Sequence, residues 1–141
     1  MDVLKLNYKN GNMEIYVDKF FPCKQTQLKK IIRLMSSEDV RNLINKLQNM
    51  CGTYEEKIET NKKMYLANHQ MAAEEQDMIV SGKWPNGVRL TKEEMWLRKD
   101  YFKMHEEHKK RHKKNILKYN RELETLKKNI ETLVKHHEST V

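Results

Sequence analysis

A strict seven-residue spacing runs unbroken from Val40 to Ile79, and it constrains what this chain can fold into more than any other feature. One row reads Ile44, Cys51, Ile58, Tyr65, Ala72, Ile79, and a second Val40, Leu47, Tyr54, Asn61, Asn68, Glu75. A flanking row reads Leu43, Met50, Lys57, Met64, Met71, Met78. Seven-residue repeats keep one seam of a helix against a partner helix. The phase passes through Gly52 without a stutter, which two helices joined by a turn have no reason to do. Thr53-x-x-Glu56 has the form of a capping box and leaves a break at Gly52 as the alternative. Continuity of phase favours a single helix from about Glu38 to Val80, with Gly52 costing about 1 kcal/mol relative to Ala.

The partner lies further along the chain. Ser81 to Gly87 (Ser-Gly-Lys-Trp-Pro-Asn-Gly) is a loop signal, and Thr91-x-x-Glu94 caps a second long helix that reaches about His137. Its seam reads Phe102, Lys109, Ile116, Leu123, Ile130, alternating with His105, His112, Tyr119, Leu126, Leu133. Each helix would be roughly 65 Å long at 1.5 Å per residue. A short loop between long helices makes them antiparallel neighbours. Folding at the loop brings together positions whose numbers add to about 173. Glu75 then meets Arg98, Asn68 meets His105, and Asn61 meets His112. Glu55, Glu56 and Glu59 would face the region of Lys113, Lys114 and Lys118. Both seams are apolar at their ends and polar in the middle, and the pairing makes the polar stretches coincide. Polar seam residues fix register at a cost in stability; the alternative is a soft section that opens or docks a partner.

Before these helices, Asn10-Gly11 is a strong hairpin signal. With these two as the loop, Lys9 pairs with Asn12, Tyr8 with Met13, Leu6 with Ile15 and Leu4 with Val17. The six apolar side chains then share one face. The second strand is expected to run to Phe20-Phe21 and stop at Pro22. A two-stranded hairpin is marginal alone, so its apolar face should lie as a lid on helices; the alternative is a free edge for strand addition. A short helix from about Gln25 to Met35 follows, with Leu28, Ile31, Ile32 and Met35 on one side. Ser36-Ser37, followed by Glu38 and Asp39, caps the first long helix.

The expected fold class is therefore mainly α: a long antiparallel, coiled-coil-like helical hairpin (residues 37–141, loop at 81–90) carrying an N-terminal two-stranded β-hairpin and short helix (residues 1–36), as a single structural unit. Composition agrees. Apolar residues are 38% and charged residues 34% of 141, a thin-core balance, and four Gly with two Pro do not suit a turn-rich β fold. No segment has the length and apolarity of a membrane span or of a signal-peptide core. Two irregularly spaced cysteines give neither a disulfide framework nor a zinc knuckle. A reducing cytoplasm, that of a bacterial host if the gene is phage-borne, is the expected location.

The net charge of +8 favours anionic partners. Lysines number 22 against six arginines, and asparagines 12. Both Lys and Asn use A-rich codons, so codon bias is the competing explanation of the charge. The densest basic segment is His108 to Lys114, with Lys109, Lys110, Arg111, Lys113 and Lys114 as candidate phosphate or partner contacts. Trp84, beside Pro85 in the loop, is a candidate partner anchor, unless it folds back under Met95 and Trp96. His105, His108 and His112 can share one helix face, but the lysines around them repel a cation, so no metal is expected. His105-Glu106-Glu107-His108 lacks the zincin spacing. The Met series reads as core, as a groove for the hairpin, or as the contact of a structural homodimer. Catalytic motifs, a phosphate loop and an activated thiol are all missing from the sequence, so neither an enzyme nor a cofactor is expected.

In general profile the chain resembles the small counter-defence proteins of phages and mobile elements, anti-CRISPR proteins among them. The shared features are about 140 residues, no catalytic motif, the Lys/Asn codon signature, and an Asn10-Gly11 hairpin attached to Lys-rich helices. No specific motif carries the resemblance, and no functional residue transfers with it. The charge of +8 departs from the acidic DNA mimics of that group. The resemblance implies binding to a nuclease, its guide RNA or its assembly surface. The expected function is a non-enzymatic protein that docks on a protein or nucleoprotein, and in its narrower form an inhibitor of a CRISPR-Cas nuclease. The alternatives are a nucleic-acid-binding or architectural coiled coil using residues 108–114, and a structural homodimer.

Overall fold

The computed structural model describes residues 3–8 and 11–140. Its elements are strands β1 (Val3–Tyr8) and β2 (Gly11–Tyr16), then helices α1 (Val17–Phe20), α2 (Gln25–Ile32), α3 (Ser37–Ser81) and α4 (Lys92–Thr140). Helix occupies about three-quarters of the chain. The two long helices pack together as a hairpin, and α3 runs through Gly52 without a break. Thr53 does not cap a new helix there. Its Oγ1 donates back to the Asn49 carbonyl at 3.4 Å, a bond that a helix interior accommodates.

Both ends that the sequence marked are capped as boxes. Asp39 N–H donates to Ser36 Oγ and Ser36 N–H to Asp39 Oδ2, each at 3.1 Å. Glu94 N–H donates to Thr91 Oγ1 at 3.1 Å and Thr91 N–H to Glu94 Oε1 at 2.9 Å. Each box satisfies two backbone donors that a helix start otherwise leaves open.

The chain divides into two compact units, one comprising residues 1–56 and 119–141, the other residues 57–118. In the first, Leu4, Leu6 and Ile15 of the hairpin are buried in one core with Leu28, Ile31 and Ile32 of α2, Val40, Leu43 and Leu47 of α3, and Leu126 and Leu133 of α4. The hairpin is thus a lid. Its register differs from the expected one by two residues: Leu4 faces Ile15, Leu6 faces Met13, and Tyr8 faces Gly11. A shift of two keeps every side chain on its face, so the apolar sorting survives. The expected turn involves Asn10, outside the described residues. β2 also stops at Tyr16, and the expected continuation to Phe21 is instead α1, closed by Phe21 N–H donating to the Val17 carbonyl at 3.0 Å. This turn buries both Val17 and Phe21. α2 ends at Ile32 rather than Met35; Leu34 and Met35 follow in tight turns and still pack on the core.

One polar side chain sits in the middle of this core. Asn129 of α4 is fully buried. Its Oδ1 accepts from Cys23 N–H and its Nδ2 donates to the Cys23 carbonyl, both at 2.9 Å. The segment between α1 and α2 thereby finds, in one side chain, the two bonds a strand partner would supply.

Candidate functional site

The unit of residues 57–118 holds the polar middle of both seams and the inter-helix loop. Three rungs cross it. Arg98 Nη1 donates to Glu75 Oε1 at 3.0 Å, His105 Nδ1 to Asn68 Oδ1 at 3.0 Å, and His112 Nδ1 to Asn61 Oδ1 at 2.8 Å. All three are the pairs expected from the fold-back at the loop. Neighbouring bonds fix the direction of the last two. Asn68 Nδ2 donates to the Met64 carbonyl and Asn61 Nδ2 to the Lys57 carbonyl, each at 2.8 Å. Each asparagine therefore turns its oxygen across the seam, and each imidazole must carry its proton on Nδ1. Asn115 adds a second donor to Asn61 Oδ1 at 3.3 Å. Ala72 between the Asn68 and Glu75 rungs, and Ile58 just beyond the Asn61 rung, are the buried apolar residues of this unit among the described residues.

The loop is a small structure of its own. Gly82 (φ 70°) ends α3 and Gly87 (φ 87°) closes a turn, two left-handed positions that favour glycine. Lys83 and Arg89 form an antiparallel bridge. Trp84 folds back, as one of the two alternatives had it, but its cover differs from the expected one. Its Nε1–H donates to Glu94 Oε2 at 3.1 Å, and the Arg98 guanidinium lies 5.1 Å from its ring and 4.8 Å from that of Tyr101. Trp96, expected to shield it, is 66% exposed. Glu94 does double duty, capping α4 and holding Trp84. The Thr91 backbone and hydroxyl, Trp84 and Arg98 together hold its carboxyl below the ordinary range. The Arg98 guanidinium offers the Trp84 ring a cation–π contact while its Nη1 holds Glu75, and it occupies the place foreseen for Trp96.

The candidate basic contacts separate into two kinds. Lys109 is on the seam: its Nζ pairs with Glu106 at 3.3 Å and lies 5.8 Å from the Tyr65 ring. Lys110, Arg111, Lys113 and Lys114 are exposed, and none has an ion pair among the described residues. The expected Met core is open in this unit, with Met64, Met71 and Met104 each more than a third exposed.

His105 and His108 meet edge to face with centroids 6.4 Å apart, and no three His, Cys, Asp or Glu side chains among the described residues converge as metal ligands would. Burial pushes the Cys23 thiol up to about 11 and raises that of Cys51, so both thiols are held protonated at neutral pH. Among the described residues no helix is long and apolar enough to cross a membrane. No protein-family model, curated protein or solved structure matches this chain.

Proposed function

We propose that this chain is a non-enzymatic interaction protein that docks on a nucleoprotein through α4. The observation that carries the reading is the set of exposed cations, Lys110, Arg111, Lys113 and Lys114, that no carboxylate neutralises among the described residues. Surface ion pairs contribute little to stability, but like charges crowded within five residues repel, and a polyanion relieves that repulsion. An inhibitor that engages the guide RNA and protein face of a CRISPR-Cas nuclease is the narrower form of this proposal. Trp84, spent on holding the loop, contributes through shape rather than as a free anchor.

The test is affinity capture from the lysate of a low-GC bacterium, with and without nuclease. It compares the wild type with the variant Lys110→Gln/Arg111→Gln/Lys113→Gln/Lys114→Gln. Gln keeps helix propensity, and circular dichroism checks the fold. A discrete partner held by the wild type and lost or slowed in the variant supports the reading. Indistinguishable capture by both refutes it.

A further inference from the structure

Around α4, at roughly 100° per residue, the side chains between Lys92 and Leu117 sort sharply. Lys92, Trp96, Lys99, Lys103, Lys110, Lys114 and Leu117 fall within an arc of about 60°, and no other residue of that stretch does. The arc lies about 150° from the seam that His105, His112 and Ile116 define. All seven side chains are exposed. None of the five lysines has an ion pair among the described residues, and no carboxylate lies within the arc. The nearest are Glu106, engaged by Lys109, and Glu107 at its edge. From Lys92 to Lys114 the row is about 33 Å long. The outward face of α3 in the same unit is different, carrying Glu59, Lys63, Gln70, Glu74 and Asp77.

We infer that this α4 face is a binding track for single-stranded nucleic acid, with the phosphates along the lysine row and a base stacked on Trp96. The inference rests on the docking reading above and names the chemistry of its partner. Two features choose a single strand over a duplex. A helix lying in the major groove meets phosphates on both flanks of its face and reads bases with the middle; here the charges run down the middle, where one backbone fits. An exposed indole among lysines is the stacking platform of single-strand binders, and a duplex offers it no free base face. The Trp96 ring is unencumbered, whereas the Trp84 ring is covered by Arg98.

Anisotropy titration of the full chain against a labelled oligothymidylate of about 16 nucleotides, and against a duplex of equal length, tests this. The single strand should bind more tightly than the duplex, with Trp emission quenched. Trp96→Ala should weaken binding roughly tenfold and abolish the quench without changing the salt slope. Lys99→Gln/Lys103→Gln/Lys110→Gln/Lys114→Gln should flatten the log–log salt slope by roughly three units. Circular dichroism and the urea midpoint should show both variants folded. Three results overturn the inference: no binding at 50 mM salt, duplex bound as tightly as single strand, or Trp96→Ala without effect. If oligonucleotide binding fails while a protein partner is still captured after nuclease treatment, the track falls and the docking reading stands; if neither occurs, both fall. Light scattering adds a further refuting outcome: a dimer that the four Gln substitutions dissociate, with no oligonucleotide bound, assigns the lysine row to the acidic α3 face of a second copy.

Discussion

Removing the Asn129 amide should cost more stability than any other single polar truncation in the core of residues 1–56 and 119–141. Asn129 is fully buried and Cys23 nearly so, and both bonds between them are 2.9 Å long. Asn129→Ala leaves the Cys23 N–H and carbonyl without partners, at about 1–3 kcal/mol each. The expected loss is about 2–6 kcal/mol, a large part of the roughly 5–15 kcal/mol that typically holds a domain together. In urea, with a slope of about 1–3 kcal/mol per molar, that is a midpoint shift of at least about 0.7 M at unchanged slope. Asn129→Asp restores the acceptor for Cys23 N–H but sets a carboxylate against the Cys23 carbonyl. At neutral pH it should be no better than Ala, and it should improve on acidification as the carboxyl gains a proton to donate. The assay is urea unfolding followed by far-UV circular dichroism, with Lys135→Ala as the exposed control. A loss for Asn129→Ala below about 0.5 kcal/mol, the scale of an ordinary surface change, would refute the reasoning.

Gly52 lies in the interior of α3, and a Cβ placed there meets nothing within 4 Å. Gly52→Ala should therefore stabilise the protein by about 1 kcal/mol, read as a higher urea midpoint; a destabilised variant would show that the position needs glycine. Burial first, and then the Glu122 carboxylate, push the Tyr54 phenol up to about 12. The folded state therefore holds this proton more firmly than the unfolded chain, whose tyrosines titrate near 10. The contribution is complete below about 10 and is lost as pH rises towards about 12. Tyr54→Phe should lose stability less steeply across that window, measured as urea midpoints against pH; parallel curves would contradict the assignment.

Periodicity made the long helices, their pairing and both capping boxes legible, because each of those rests on local spacing. Glu75 with Arg98, Asn68 with His105 and Asn61 with His112 follow from one fold-back position. What escaped the sequence needed a third element or a choice among equivalents. Asn129 is outside both seam rows, and only the return of the Cys23 segment gives it a partner. Registers of the hairpin two residues apart bury the same face, so alternation of apolar residues could not choose between them. Trp84 could be covered by any neighbour one turn into α4. The structure selects Arg98 because its guanidinium reaches the ring and Glu75 together. The α4 lysine row needed exposure as well as sequence: within residues 108–114 it appears as a charge cluster, and only together with Trp96 and Lys99 does it become a line.

The rungs of the polar seam recur every seven residues on both helices, one of them Glu with Arg and two of them Asn with His. Slide α4 by one heptad in one direction and Asn68 meets His112, leaving Glu75 opposite His105 and Asn61 opposite Tyr119. Slide it the other way and Arg98 meets Asn68, with Glu75 opposite Thr91. Neither displaced alignment reproduces the set, although the apolar rows would accept both. The rungs thus work as a checksum on helix length. A seven-residue insertion between Asn61 and Glu75 would keep the α3 seam in phase and still fail, unless α4 acquired seven residues between Arg98 and His112. In this part of the molecule the two segments can change length only as a pair.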